Sequence, residues 1–181
     1  MKKQIRWITE TAVLLALLIT LQTLTKPLGQ LVTGSCVNAV LAIAVLFAGL
    51  GSGLTIALLS PILAYLLGIA PQILTVPAIM VGNGVYVLLL HFLADPTGKK
   101  LLKNILAWVV ASFVKFGVLY CIVVKVICGF MAEALMETGA LKAPMLDALT
   151  ATFSWPQLFT ALIGSAVALL MAPVVRKALK K

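Results

Sequence analysis

Two lysines, Lys115 and Lys125, lie inside one apolar stretch, Asn104–Cys128. An ammonium in hydrocarbon costs at least about 2.5 kcal/mol, and such residues ordinarily face a bundle interior or a water-filled cavity. If the stretch is a helix starting at Asn104, a rise of about 1.5 Å per residue puts Lys115 roughly 17 Å and Lys125 roughly 30 Å along it. Lys125 then reaches an interface, where its stem can snorkel toward headgroups. Lys115 stays near the midplane, and no Asp or Glu lies deep in a span to neutralise it. Its counterpart is either an anionic ligand or a structural partner such as a carbonyl or an amide.

Other polar residues fall within reach of the same region. Asn83 is flanked by Gly82 and Gly84; a buried amide must find a partner, and the glycines allow a helix or a ligand to come close to the backbone. Tyr86 lies one turn on, on nearly the same face, while Asn38 and Gln22 belong to the halves of their helices that point the same way. Gln72, Lys125 and Trp155 stand around the expected mouth. The candidate binding set is therefore Lys115, Asn83, Tyr86, Lys125, Gln72, Asn38 and Trp155. His91 reads as an interface residue. Cys36, Cys121 and Cys128 are odd in number and lack zinc-site or disulfide spacing, so neither metal nor cofactor is expected. Cys121 and Cys128, seven residues apart, are expected to share a helix face.

The elements that must position these groups are membrane helices. With 62% hydrophobic and 10% charged residues among 181, and a mean hydropathy of +1.16, the chain cannot present the surface of a soluble domain. Runs long enough to cross about 30 Å of hydrocarbon fall at Trp7–Leu24, Leu31–Ala48, Leu54–Ile69, Thr75–Leu93, Asn104–Cys128 and Trp155–Val175. The third is short and bordered by Gly49, Gly51, Gly53, Gly68 and Pro71, with Pro61 inside it as a candidate kink. The expectation is an all-α integral membrane protein of six transmembrane helices, a single transmembrane domain over residues 1–181.

Six spans put both termini on one side. Lys2, Lys3, Arg6, Lys99, Lys100, Lys103, Arg176, Lys177, Lys180 and Lys181 share that side, against Lys26 and Lys142 on the other, so the positive-inside rule makes both termini cytoplasmic. The first helix reads as retained, because no small-x-small cleavage site precedes Thr25-Lys26-Pro27. The net charge of +9 borders spans instead of forming a basic patch with interleaved aromatics, which argues against nucleic acid. The long connection Gly129–Ser154 is external, with short helices expected at Met131–Thr138 and Pro144–Phe153.

Small residues recur every four positions at Ala12, Ala16 and Thr20, at Ala44 and Ala48, and at Gly164, Ala168 and Ala172. Such faces permit close helix packing, within the molecule or with a partner. Together with the six helices, the cytoplasmic termini and the Pro77…Gly82-Asn83 stretch, the Ala12-Val13-Leu14-Leu15-Ala16 motif resembles the substrate-binding S component of energy-coupling factor (ECF) vitamin transporters, over the whole chain. The resemblance implies high-affinity capture of a vitamin-like small molecule from outside, in a bacterial plasma membrane. It also implies docking through Ala12 and Ala16 on a membrane scaffold protein driven by two cytoplasmic ATPases, and toppling in the membrane to release the cargo.

The motif inventory agrees. No Gly-x-x-x-x-Gly-Lys-Ser/Thr loop is present, and no carboxylate deep in a span suggests ion coupling, so the work comes from elsewhere. Two alternatives compete. One is a small structural or assembly membrane protein, or a stand-alone facilitator. The other is an intramembrane enzyme built on Ser52 and His91. The glycine run Gly49–Gly53 reads more simply as a helix-to-helix turn that would hold Ser52, and His91 has no obvious partner, so no catalytic residue is expected.

Overall fold

The computed structural model describes residues 2–70, 72–95, 97 and 99–178; Pro71, Lys180 and Lys181, invoked above, lie outside them. All regular structure among these residues is helical: α1 Lys2–Thr25, α2 Gln30–Ile43, α3 Leu50–Leu66, α4 Val76–Leu93, α5 Leu101–Leu119, α6 Ala132–Glu137, α7 Ala143–Phe153 and α8 Trp155–Ala178. Five helical stretches are long and apolar enough to cross a membrane, and α3 is a shorter apolar helix. In lipid the backbone must satisfy its own hydrogen bonds, so apolar chain of this length becomes helix.

Short breaks separate the helices. The α2 helix widens into a π-helical turn at Ala44–Ala48 and ends at Gly49, whose φ of 91° favours glycine. That single residue makes the turn into α3. The glycine run is thus mostly helix: α3 begins at Leu50, four residues before the expected start, and Ser52 is buried in its first turns with its Oγ 2.7 Å from Thr11 Oγ1. The two short helices expected in the long connection appear as α6 and α7.

The α5 helix also changes character, continuing as a π-helix through Tyr120–Phe130. Its i→i+5 bonds place more residues in each turn than an α-helix has. Seven residues then no longer return to one face. Cys121 is exposed and Cys128 buried, which corrects the expectation that they share a face.

The helices pack with α2 on α8, α4 on both α3 and α5, α5 on α8, and α1 on α2 and α3. The main core gathers Leu18, Leu41, Ile56, Tyr86, Leu90 and Trp108. A second cluster joins Leu119 and Val123 of the long fifth helix to Leu141, Leu149 and Phe153. The α4–α5 loop is tied by Asn104, whose Oδ1 accepts from the Asp95 N–H at 2.6 Å while its Nδ2 donates to the Asp95 carbonyl at 3.2 Å. Hydrogen bonds from Thr97 lead the effects that hold the Asp95 carboxyl below its usual range.

Candidate substrate site

Lys115 is 3% exposed and points from α5 into the bundle. Its Nζ donates to Asn38 Oδ1 on α2 at 2.5 Å and to Asn83 Oδ1 on α4 at 2.7 Å. It also stands 5.2 Å from the centre of the Tyr86 ring, within the range of a cation–π contact. Three polar residues separated by up to 77 positions therefore meet at one ammonium. Both amides must turn their oxygens toward it, because an ammonium only donates.

The network extends on both sides. Asn38 Nδ2 donates to the Gly34 carbonyl at 2.9 Å and to Thr160 Oγ1 at 3.4 Å. The Tyr86 hydroxyl lies 2.7 Å from Ser165 Oγ, itself 3.3 Å from Ser112 Oγ. Helices α2, α4, α5 and α8 are joined through neutral groups around one cation. No carboxylate takes part, and the one ion pair among the described residues, Arg6–Glu10, is on the α1 surface.

Lys115, Asn38 and Asn83 line a cavity of about 120 Å³. Gln22 at the end of α1, Gln30 and Thr33 on α2, Ser60 in α3, Thr152 in α7 and Gln157 in α8 extend its polar wall, with Pro61, Leu119 and Phe153 on the apolar side. The cavity lies in the half of the bundle remote from the start of α1 and the end of α8. Five buried side-chain atoms lack a hydrogen-bond partner among the described residues, and Gln22 Oε1, Ser60 Oγ and Asn83 Nδ2 of these belong to cavity residues.

The other four sequence candidates sit elsewhere. Tyr86 is fully buried beneath the lysine, away from the cavity wall. Lys125 is exposed, with its Nζ 5.6 Å from the Tyr120 ring centre. Trp155 is 65% exposed and stacked on Phe116 with ring centres 5.8 Å apart. Gln72 hydrogen-bonds Met145, which links the segment before α4 to α7. Gly82 serves packing, since a Cβ there would come within 2.7 Å of Leu119 Cγ, whereas the space beside Gly84 is open.

Ser60, Thr160, Ser165 and Gln157 were not singled out from the sequence. Small hydroxyls in helices mostly bond back to their own backbone, so their presence in a span carries little signal. Pro61 beside Ser60 is the nearest available hint. Ser52 and His91 are not joined into a dyad: Ser52 bonds Thr11, and His91 is exposed with its ring against Phe92.

No curated protein and no solved structure matches the chain. A family does match, described as the ECF transporter, substrate-specific component, over residues 6–176. That span reaches all eight helices, and the chain belongs to this family: it is a multi-pass membrane subunit that serves as the substrate-specific component of an ECF transporter.

Proposed function

We propose that this subunit captures a small anionic vitamin or vitamin precursor from the external side, in the cavity walled by Lys115, Asn38 and Asn83, as a single domain over residues 1–181. The observation that carries the reading is a buried lysine on a cavity wall whose acceptors are two neutral amide oxygens. Such a cation keeps most of its charge uncompensated, and a ligand carboxylate supplies the missing partner. In this reading the subunit acts by binding, with no catalytic step.

The orientation rests on the basic residues. With α3 counted as a span, six helices bring Lys3, Arg6, Lys99, Lys100, Lys103, Arg176 and Lys177 to one side, which the positive-inside rule makes cytoplasmic. Five spans would divide them between the two sides. Six spans also turn the cavity outward, toward the source of the cargo. Ala12 and Ala16 are exposed on α1, which supports their use as the face that meets the scaffold protein, with the ATPases beneath it and the bacterial plasma membrane as the setting.

One feature favours a second reading: the two amide bonds tie α2, α4 and α5 together, as a structural lysine would. Lys115→Met separates them. Capture of an anion predicts that affinity for the ligand retained in native mass spectrometry falls by about 2–5 kcal/mol, roughly 30-fold or more, while the melting temperature is unchanged or rises as an uncompensated buried charge is removed. Unchanged affinity with a collapsed melting temperature makes Lys115 structural and removes the support for an anionic substrate.

A further inference from the structure

The unpartnered atoms around the cavity describe the ligand more closely than its charge alone. Asn83 is 1% exposed and its Oδ1 is committed to Lys115, so its Nδ2 cannot exchange places with the oxygen without facing a cation. That nitrogen has no partner among the described residues. Asn83 Nδ2 and the Lys115 ammonium are thus two donors on residues that line the same cavity, and a carboxylate has two oxygens to accept from them. Gln22, 9% exposed, presents an acceptor without a donor at Oε1, and Ser60, 1% exposed, an unpaired hydroxyl. Three such atoms are buried and unpaired among the described residues, an unfavourable state that a ligand would relieve.

The cavity is also poor in flat faces. Among the described residues Phe153 is the one aromatic on its wall, because Tyr86 lies beneath the lysine and Trp155 stacks on Phe116 outside. A planar fused ring would gain little of the stacking that aromatic recognition supplies. At about 120 Å³, several times the roughly 10–15 Å³ that a single water needs, the cavity has room for a compact molecule.

We infer that the ligand is a compact aliphatic monocarboxylic acid bearing a hydroxyl or amide N–H, with its carboxylate between Lys115 and Asn83 Nδ2 and its donor facing Gln22 or Ser60. This rests on the proposed function above and narrows it. Aromatic carboxylates and flavin-like rings are disfavoured by the same wall.

Isothermal titration of the full chain in mild detergent with pantoate, pantothenate, pantothenate methyl ester, nicotinate and riboflavin tests it. The expected result is binding of pantoate or pantothenate, loss of at least 30-fold in the methyl ester, and a fall of about tenfold in Gln22→Leu, the scale of one hydrogen bond to a neutral group, with no fall in melting temperature. Tighter binding of nicotinate or riboflavin overturns the inference while leaving capture of a micronutrient intact. Binding of none of the five overturns it too, and a retained ligand mass then decides separately whether the subunit captures a micronutrient.

Discussion

The stripe Gly164, Ala168, Ala172 on α8 and the stripe Ala12, Ala16, Thr20 on α1 are one pattern in sequence, small residues every four positions, yet they occupy opposite surroundings. On α8 the stripe is sealed against α2: Ala168 is fully buried, and a Cβ at Gly164 would lie 2.5 Å from Asn38 Cβ and 2.6 Å from the Ser35 carbonyl oxygen. On α1 the stripe is exposed throughout, and α1 is the least buried of the five long apolar stretches. A small-residue face lets two backbones approach. The first has its partner within the chain; the second presents the same surface with none among the described residues.

The sharpest way to break this contrast is Gly164→Ala. The added methyl meets backbone atoms of α2, including Ala39 N at 2.9 Å, and these cannot move aside as a side chain would. Overpacking of this kind costs about 1–3 kcal/mol or more. It also displaces Asn38 from Lys115, so ligand affinity should fall together with the melting temperature. A melting curve identical to that of the unaltered protein would mean that α2 and α8 do not touch there. Ala168→Leu is expected to cost about 1–3 kcal/mol by the same overpacking while sparing affinity more, because Ala168 lies in the main apolar core instead of beside Asn38.

Ala16→Trp probes the other stripe. Substitutions at exposed positions ordinarily shift stability by less than about 0.5 kcal/mol, so melting and ligand binding should be retained. Uptake by the reconstituted transporter should fall, because bulk on this face blocks helix approach. Normal uptake would remove Ala12 and Ala16 from the docking surface, and a loss of stability as large as that of Gly164→Ala would mean that the face is already packed.

The smallest perturbation sharpens the comparison by placing both stripes relative to the membrane. In a background with Cys36, Cys121 and Cys128 changed to Ser, single cysteines at Lys3, Lys99 and Lys177 should leave binding intact. An impermeant thiol reagent should reach all three only from the cytoplasmic side. External labelling at any of them would invert the orientation and turn the Lys115 cavity inward.

Part of the candidate site was legible from residue type alone. Lys115 stands out because a cation far from any span edge is costly, and Asn83 because an amide in a span needs a partner. Asn38 was grouped with them by the half of its helix that it occupies, and its role as the second acceptor across 77 positions was not legible. Tyr86 was grouped with them by its helix face, and Gln72, Lys125 and Trp155 by height toward the expected mouth. Height is readable from 1.5 Å per residue; rotation about the helix axis is not, once a π-helical stretch such as Tyr120–Phe130 alters the residues per turn.

What the amino-acid sequence determined by itself is the solvent. Hydropathy sums along the chain, so 62% hydrophobic residues commit this protein to helices in lipid whatever their arrangement, and the clustering of basic residues supplies an orientation by the same local arithmetic. Tertiary structure alone decided which polar groups meet. The convergence of Asn38, Asn83 and Lys115 on one cavity, and the burial of one small-residue stripe while its twin stays open, depend on contacts between distant helices, and those are set by close packing of particular side chains instead of by any sum along the chain.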